Sequence, residues 1–221
     1  MKRIIVIAPH SDDETIGAGG YLCKHRDNGD ELFWVNVTNA KIEYGYSDEE
    51  VERWNRITSS VKTAYGFKKV YDLALEPSGL DRRDLSNLIS NIYSIFCEVK
   101  PNVVLLPYHH DAHSDHRVVF DAVMACCKSF RTPSVEKIMC TEIISETDYA
   151  DSDYGFVPNY FVDISEYIDE KIRILAIYNS EVKESPFPRN EEAIRGLAKY
   201  RGASCYAHYA EAYRVLKIIE R

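Results

Sequence analysis

The sequence predicts an α/β fold of the Rossmann-like kind, a mainly parallel sheet with helices on both faces. Short runs of β-branched and apolar residues alternate with longer helical stretches along the chain. The first and fourth of these runs end in loops crowded with histidines and acids, where open parallel sheets bind ligands. With 221 residues, 45% hydrophobic and 28% charged, the chain suits one domain over 1–221 that can bury a sizeable core.

Strand one is Arg3–Ala8, an apolar run after Met-Lys-Arg, and helix one starts near Thr15. Strand two is Leu32–Thr38. Asp48-Glu49-Glu50 then opens a helix to about Tyr65, with Gly66 as its C-cap. Strand three is Lys69–Leu73. The spacing of Leu85, Leu88, Ile89, Ile92 and Ile95–Phe96 predicts an amphipathic helix from Arg82 to Lys100, stopped by Pro101. Strand four is Asn102–Leu106. Beyond it, Lys137–Ile144 and Tyr160–Asp163 read as strands and Ser165–Tyr178 as a helix. Pro186 and Pro188 mark 184–190 as a loop, and Glu191–Tyr200 reads as a helix. Ala210–Ile219 fits either helix or strand by pattern. No internal repeat or linker interrupts the chain.

A formal net charge of −8 without a basic run argues against a nucleic-acid partner. The apolar stretch Ile4–Ala8 is too short for a signal peptide or a membrane span, so no membrane insertion is expected. Six scattered cysteines (Cys23, Cys97, Cys126, Cys127, Cys140, Cys205) lack metal-type pairing and are expected to be reduced thiols in a cytoplasmic protein.

Two loops hold the unusual chemistry. The first reads Pro9-His10-Ser11-Asp12-Asp13-Glu14. Three acids in one turn repel one another at short range, and a cation among them removes that penalty. The plainer alternative is that acids decorate a helix N-terminus. The second loop, Tyr108-His109-His110-Asp111-Ala112-His113-Ser114-Asp115-His116-Arg117, carries four of the chain's seven histidines. Asp115 could also cap the helix that begins near His116. A catalytic zinc takes three protein ligands and keeps an open position. His10, Asp13 and His116 are of suitable type, and Asp12 is left beside them as a base.

These residues resemble the LmbE-like, or PIG-L, family of zinc-dependent N-acetylglucosaminyl deacetylases. The opening Pro9–Glu14 is similar to the family's Pro-His-Pro-Asp-Asp-Glu, with Ser11 where proline is usual, and His113-Ser114-Asp115-His116 is similar to its His-x-Asp-His. Gly17, Gly19 and Gly20, Pro158–Asp163, Arg201-Gly202 and Tyr209–Tyr213 also look like the family, so the likeness spans the chain. It implies removal of an N-acetyl group from an N-acetylated amino sugar, with His10, Asp13 and His116 on Zn2+ and Asp12 as general base. It assigns His113 as the electrophilic partner oriented by Asp115, whose carboxylate would favour the imidazolium. Substrate contact falls to an arginine of the second helix, Arg53 in preference to Arg56; the alternative for either is a surface pair with Glu49, Glu50 or Glu52. Relatives commonly form homo-oligomers.

Three other readings compete with this one. A dinucleotide site needs Gly-x-Gly-x-x-Gly in the first turn, and here Gly17–Gly20 lie inside helix one, where they let it pack closely. Two histidines and a carboxylate also describe non-haem iron oxygenases, but Asp12 and His113 favour hydrolysis. A catalytically decayed sugar-binding module would not keep every catalytic group.

Overall fold

In the computed structural model, which describes residues 1–220, β1 (Arg3–Ala8) is apolar at every position after Arg3 and is buried on both faces. Ile4, Val6 and Ala8 face one core, and Ile5 and Ile7 the other, the period-two alternation of a strand covered on both sides. α1 (Asp13–Asp27) returns along the first face to β2 (Glu31–Thr38). α2 (Asp48–Tyr65) opens with a capping box in which Ser47 and Glu50 exchange backbone bonds, and it ends at Gly66 with φ +66°. β3 (Lys69–Leu75) and α3 (Leu85–Val99) follow, then β4 (Val103–Leu106), α4 (Ser114–Cys126) and β5 (Lys137–Cys140). The last third holds β6 (Tyr160–Asp163), α5 (Ile168–Leu175), α6 (Glu191–Ala203) and β7 (Ala210–Ile218).

The sheet order is β3-β2-β1-β4-β5-β7-β6. β1 through β5 run parallel, and β7 is antiparallel to both β5 and β6. Residues of α1, α2, α5 and α6 cover one face, and residues of α3 and α4 the other. On α3, Leu88, Ile92, Ile95, Phe96 and Val99 are buried. A fully buried side chain such as Ile92 or Phe96 contributes about 1.5–3 kcal/mol. Gly17 and Gly20 bring α1 close to its neighbours: a Cβ would come 2.6 Å from Ile143 Cδ1 and 2.6 Å from Ile164 Cγ2 respectively. No described helix is long and apolar enough to cross a membrane.

Several elements differ from the sequence reading. α1 begins at Asp13, because the Asp12 carbonyl already accepts the amides of Thr15 (2.9 Å) and Ile16 (2.8 Å). α3 begins at Leu85, capped by Asp84, so Leu85 itself is exposed. α5 is shorter than expected: Asp163 Oδ1 accepts both the amide and hydroxyl of Ser165, holding that stretch in a turn, and three-residue turns follow at Ile177 and Tyr178. β5 stops at Cys140, after which Ile143 N turns to the Thr147 hydroxyl (2.9 Å). The ambiguous 210–218 segment is a strand.

Because β1 and β4 are parallel neighbours, the loops at their carboxyl ends, 9–12 and 107–113, lie side by side. That adjacency positions the site.

Candidate active site

The turn after β1 is fixed by backbone bonds. His10 N donates to Asp13 Oδ2 (2.9 Å), and Thr38 N and Oγ1 both donate to Pro9 O (3.0 and 2.8 Å). Asp12 sits at φ 117°, ψ −28°, a left-handed conformation for a residue with a side chain. Such a conformation costs on the order of 1–3 kcal/mol and persists only where the surroundings impose it. It sends the Asp12 carboxylate into a cavity of about 350 Å3 whose walls include His10, Arg53, Trp54, His113 and Arg189.

The two loops bring His10, Asp13 and His116 together. One ligand atom from each lies within 4.8 Å of the others, and Asp13 Oδ2 is 3.5 Å from His10 Nδ1 and 3.2 Å from His116 Nε2. Each imidazole is held from behind by a carboxylate: His10 Nε2 meets Asp115 Oδ2 at 3.1 Å, and His116 Nδ1 meets Asp111 Oδ2 at 2.8 Å. In the neutral, metal-binding form of each ring these partners favour the hydrogen on the outer nitrogen, which turns the lone pairs of His10 Nδ1 and His116 Nε2 toward Asp13. Metal-binding histidines are commonly oriented in this way.

The unpaired atoms fit a cation. His116 Nε2 and Asp13 Oδ1 are buried without hydrogen-bond partners among the described residues, which is costly unless something else occupies them. His10, His113 and Asp115 also lie close enough to bind a metal. There, however, both Asp115 oxygens are engaged: Oδ1 accepts from Leu80 N (3.1 Å), and Oδ2 from Ser78 N (2.7 Å) and His10. The His10–Asp13–His116 set is therefore the better receptor.

Electrostatics point the same way. Burial opposes a charge on His10, yet its bonds to Asp115 and Asp13 raise it to about 9. Burial likewise opposes a charge on His116, and Asp13 and Asp111 outweigh it, raising the ring to about 10. Asp13 is buried but held well below the ordinary carboxylate range by His116 and His10. The cluster thus draws positive charge, which protons or a metal can supply. Asp12 shifts the other way: burial and then Asp13 push it well above the usual range, against the pull of Arg189.

Two expectations for the second loop need correction. Asp115 does not cap α4. His113 does, its Nδ1 accepting the Asp115 amide at 3.1 Å. Nor does the Asp115 carboxylate orient His113, since it sits 4.0 Å from His113 Nδ1 and is committed to His10 and the 78–80 backbone. Burial and then the nearby His10 push His113 down to about 4, so the ring is neutral rather than an imidazolium, with its hydrogen on Nε2. That atom lies 3.4 Å from the Ser78 hydroxyl, at the cavity wall.

Of the two candidate arginines, Arg53 lines the cavity, and its Nε is buried without a hydrogen-bond partner among the described residues. Arg56 is exposed and pairs with Glu52 at 3.3 Å, a surface i,i+4 pair of small energetic weight.

Sequence reasoning missed three contributors. Asp111 stood in the histidine-rich loop, and its carboxylate among histidines was a signal for a ring-orienting partner. Arg189, from the loop between α5 and α6, donates to Asp12 Oδ2 (2.8 Å), Ser145 Oγ (3.0 Å) and Glu146 Oε1 (3.4 Å). Glu146 also accepts the His113 amide at 3.1 Å. Nothing in the sequence singled out Arg189 or Glu146, because their contacts span more than thirty residues and follow no local pattern.

Three known proteins frame this geometry. Diacetylchitobiose deacetylase of Thermococcus kodakarensis is 26% identical, the alignment covering 97% of this chain and 83% of that protein. The structure of N,N'-diacetylchitobiose deacetylase from Pyrococcus horikoshii superposes with a TM-score of 0.75 at 22% identity, covering 98% of this chain and 84% of the other. The 4-carboxy-2-hydroxymuconate hydratase from Pseudomonas putida KT2440 superposes with a TM-score of 0.73 at 15% identity, over 100% and 99% of the two chains. The last comparison shows that the fold alone does not fix the reaction. The PIG-L family model, described as GlcNAc-PI de-N-acetylase, matches residues 5–127, more than half of the chain and both loops of the site. The chain belongs to the PIG-L family.

Proposed function

We propose that this protein is a zinc-dependent hydrolase that removes the N-acetyl group from an N-acetylated amino sugar. The observation that carries the reading is the convergence of His10, Asp13 and His116 beside a buried, unpartnered oxygen of Asp12. Two nitrogens and one carboxylate suit zinc in a catalytic site, and His10 Nδ1, Asp13 and His116 Nε2 would hold it. When bound there, zinc supplies an acidic water and polarises an amide carbonyl.

The chain's own groups complete the reaction. Arg189 occupies Asp12 Oδ2 and leaves Oδ1 free, so Oδ1 takes the proton of the attacking water. A carboxylate oxygen so placed can accept a proton from the water as it attacks. His113 Nε2–H donates to the oxygen on which negative charge builds, and its neutral state is compatible with a nearby cation. The protonated Asp12 then returns its proton to the departing amine. A cavity of about 350 Å3 accommodates one sugar ring with its acetamide. Trp54 offers an aromatic wall, and Arg53 offers its Nε, which has no hydrogen-bond partner among the described residues.

The test is acetate release from a panel of N-acetylated sugars and nucleotide sugars by the zinc-loaded protein, with Asp12→Ala as the matched variant. The reading requires release that is lost in Asp12→Ala while zinc stoichiometry is retained. Unchanged turnover in that variant removes Asp12 from the mechanism. Oxygen consumption by an iron-loaded protein that releases no acetate would favour the oxygenase alternative.

A further inference from the structure

We propose that Glu14 and Tyr178 are positioning residues that hold Asp12 in its catalytic conformation. The inference rests on Asp12 being the base. It adds the device that keeps its carboxylate in place.

Glu14 belongs to the acidic opening of α1, where an exposed acid would serve the helix N-terminus equally well. Instead it is fully buried, together with Tyr178. Burying a carboxylate is costly unless donors surround it, and here three do. Glu14 Oε2 accepts the Asp12 amide at 3.1 Å, while Oε1 accepts the hydroxyls of Thr15 at 2.6 Å and Tyr178 at 2.7 Å. Tyr65 extends the group by donating to Thr15 Oγ1 at 3.0 Å.

The bond to Asp12 N falls where it has most effect. Asp12 is the left-handed residue of the turn, at φ 117°, and no side chain caps α1 from that position. Rotation about this φ to the ordinary negative range would move the amide off Glu14 and swing the side chain away from the cavity. Arg189 holds the same residue from the opposite side through Oδ2. Tyr178 ends the chain segment that leads into the loop carrying Arg189, so its bond to Glu14 ties the root of that loop to the turn it closes over. The two supports thus act on one residue from one linked assembly.

The variants are Glu14→Leu, Glu14→Gln and Tyr178→Phe, assayed for acetate release, zinc stoichiometry and crystal structure. Leucine fills the space and removes the acceptor. Glutamine keeps an acceptor for Asp12 N, while its amide hydrogens can meet the rotatable hydroxyls of Thr15 and Tyr178. A misplacement of about 1 Å costs about 100-fold in rate, so Glu14→Leu should lower kcat by about that factor. KM and zinc content should not change, and its structure should show Asp12 turned out of the cavity. Glu14→Gln should recover most of kcat. Full kcat in Glu14→Leu, or zinc and turnover lost together in a folded variant, overturns the proposal. If Glu14→Leu does not fold, Tyr178→Phe decides: a fall in kcat at unchanged KM supports the proposal, and wild-type kcat overturns it. Absence of acetate release in the wild type would fail the functional reading, and the Asp12 conformation in the variant structures would still decide this one.

Discussion

Loading the metal should expel protons. Without a metal, His10 and His116 are raised to about 9 and about 10 by the carboxylates around them, which outweigh the effect of burial. At neutral pH both rings are then imidazolium in the empty site. A metal binds only neutral imidazole, so occupation of the His10–Asp13–His116 site releases about two protons at pH 7. The apparent zinc affinity should rise about 100-fold from pH 7 to pH 8, or ~2.7 kcal/mol, since each tenfold step is ~1.36 kcal/mol. The slope should halve above about pH 9 and vanish above about pH 10. Titration calorimetry in two buffers of different ionisation enthalpy measures the protons directly, and competition against a chelator between pH 6.5 and 8.5 measures the slope. An affinity independent of pH, or release of less than one proton, would refute the electrostatic description of the site.

The same shifts set the pH response of the metal-free protein. Both histidines have folded-state values above the ordinary 6.5, so their stabilising effect is complete below about pH 6.5 and is lost as pH rises through about 9 to 10. Denaturant midpoints of the apoprotein should fall across that window and those of the loaded protein should not. Asp111→Asn weakens the bond that orients His116 and should lower zinc affinity by about 10- to 100-fold, read by chelator competition. His113→Ala removes a donor to the developing oxyanion and should reduce kcat by about 100- to 1,000-fold with zinc content retained. Arg53→Ala should raise KM, whereas Arg56→Ala, at an exposed surface pair, should leave both kinetic constants unchanged.

The parts of this molecule that were legible in the sequence are those governed by short-range rules. β1 was readable because burial on both faces demands an unbroken apolar run. The stop at Pro101 and the cap at Gly66 follow from backbone stereochemistry. The His10–Asp13 turn and the His113–His116 segment stood out because like-charged and imidazole groups at such density need a shared purpose. Where local bonds compete evenly, the sequence was silent. Residues 210–218 carry apolar positions compatible with either period, and pairing with β5 and β6 decided for a strand. The resemblance to the family paired Asp115 with His113, whereas the fold brings His10 to it across 105 residues. Arg189 lay beyond reach for the same reason: its bond to Asp12 spans 177 residues and depends on how one loop closes over another.

Anomalous diffraction at the zinc edge from crystals of the loaded protein tests the central claim most directly. The account predicts a single strong peak bonded to His10 Nδ1, Asp13 and His116 Nε2, with Asp12 beside it and not bound. A peak among His10, His113 and Asp115, or an ion that takes Asp12 as a ligand, would contradict it.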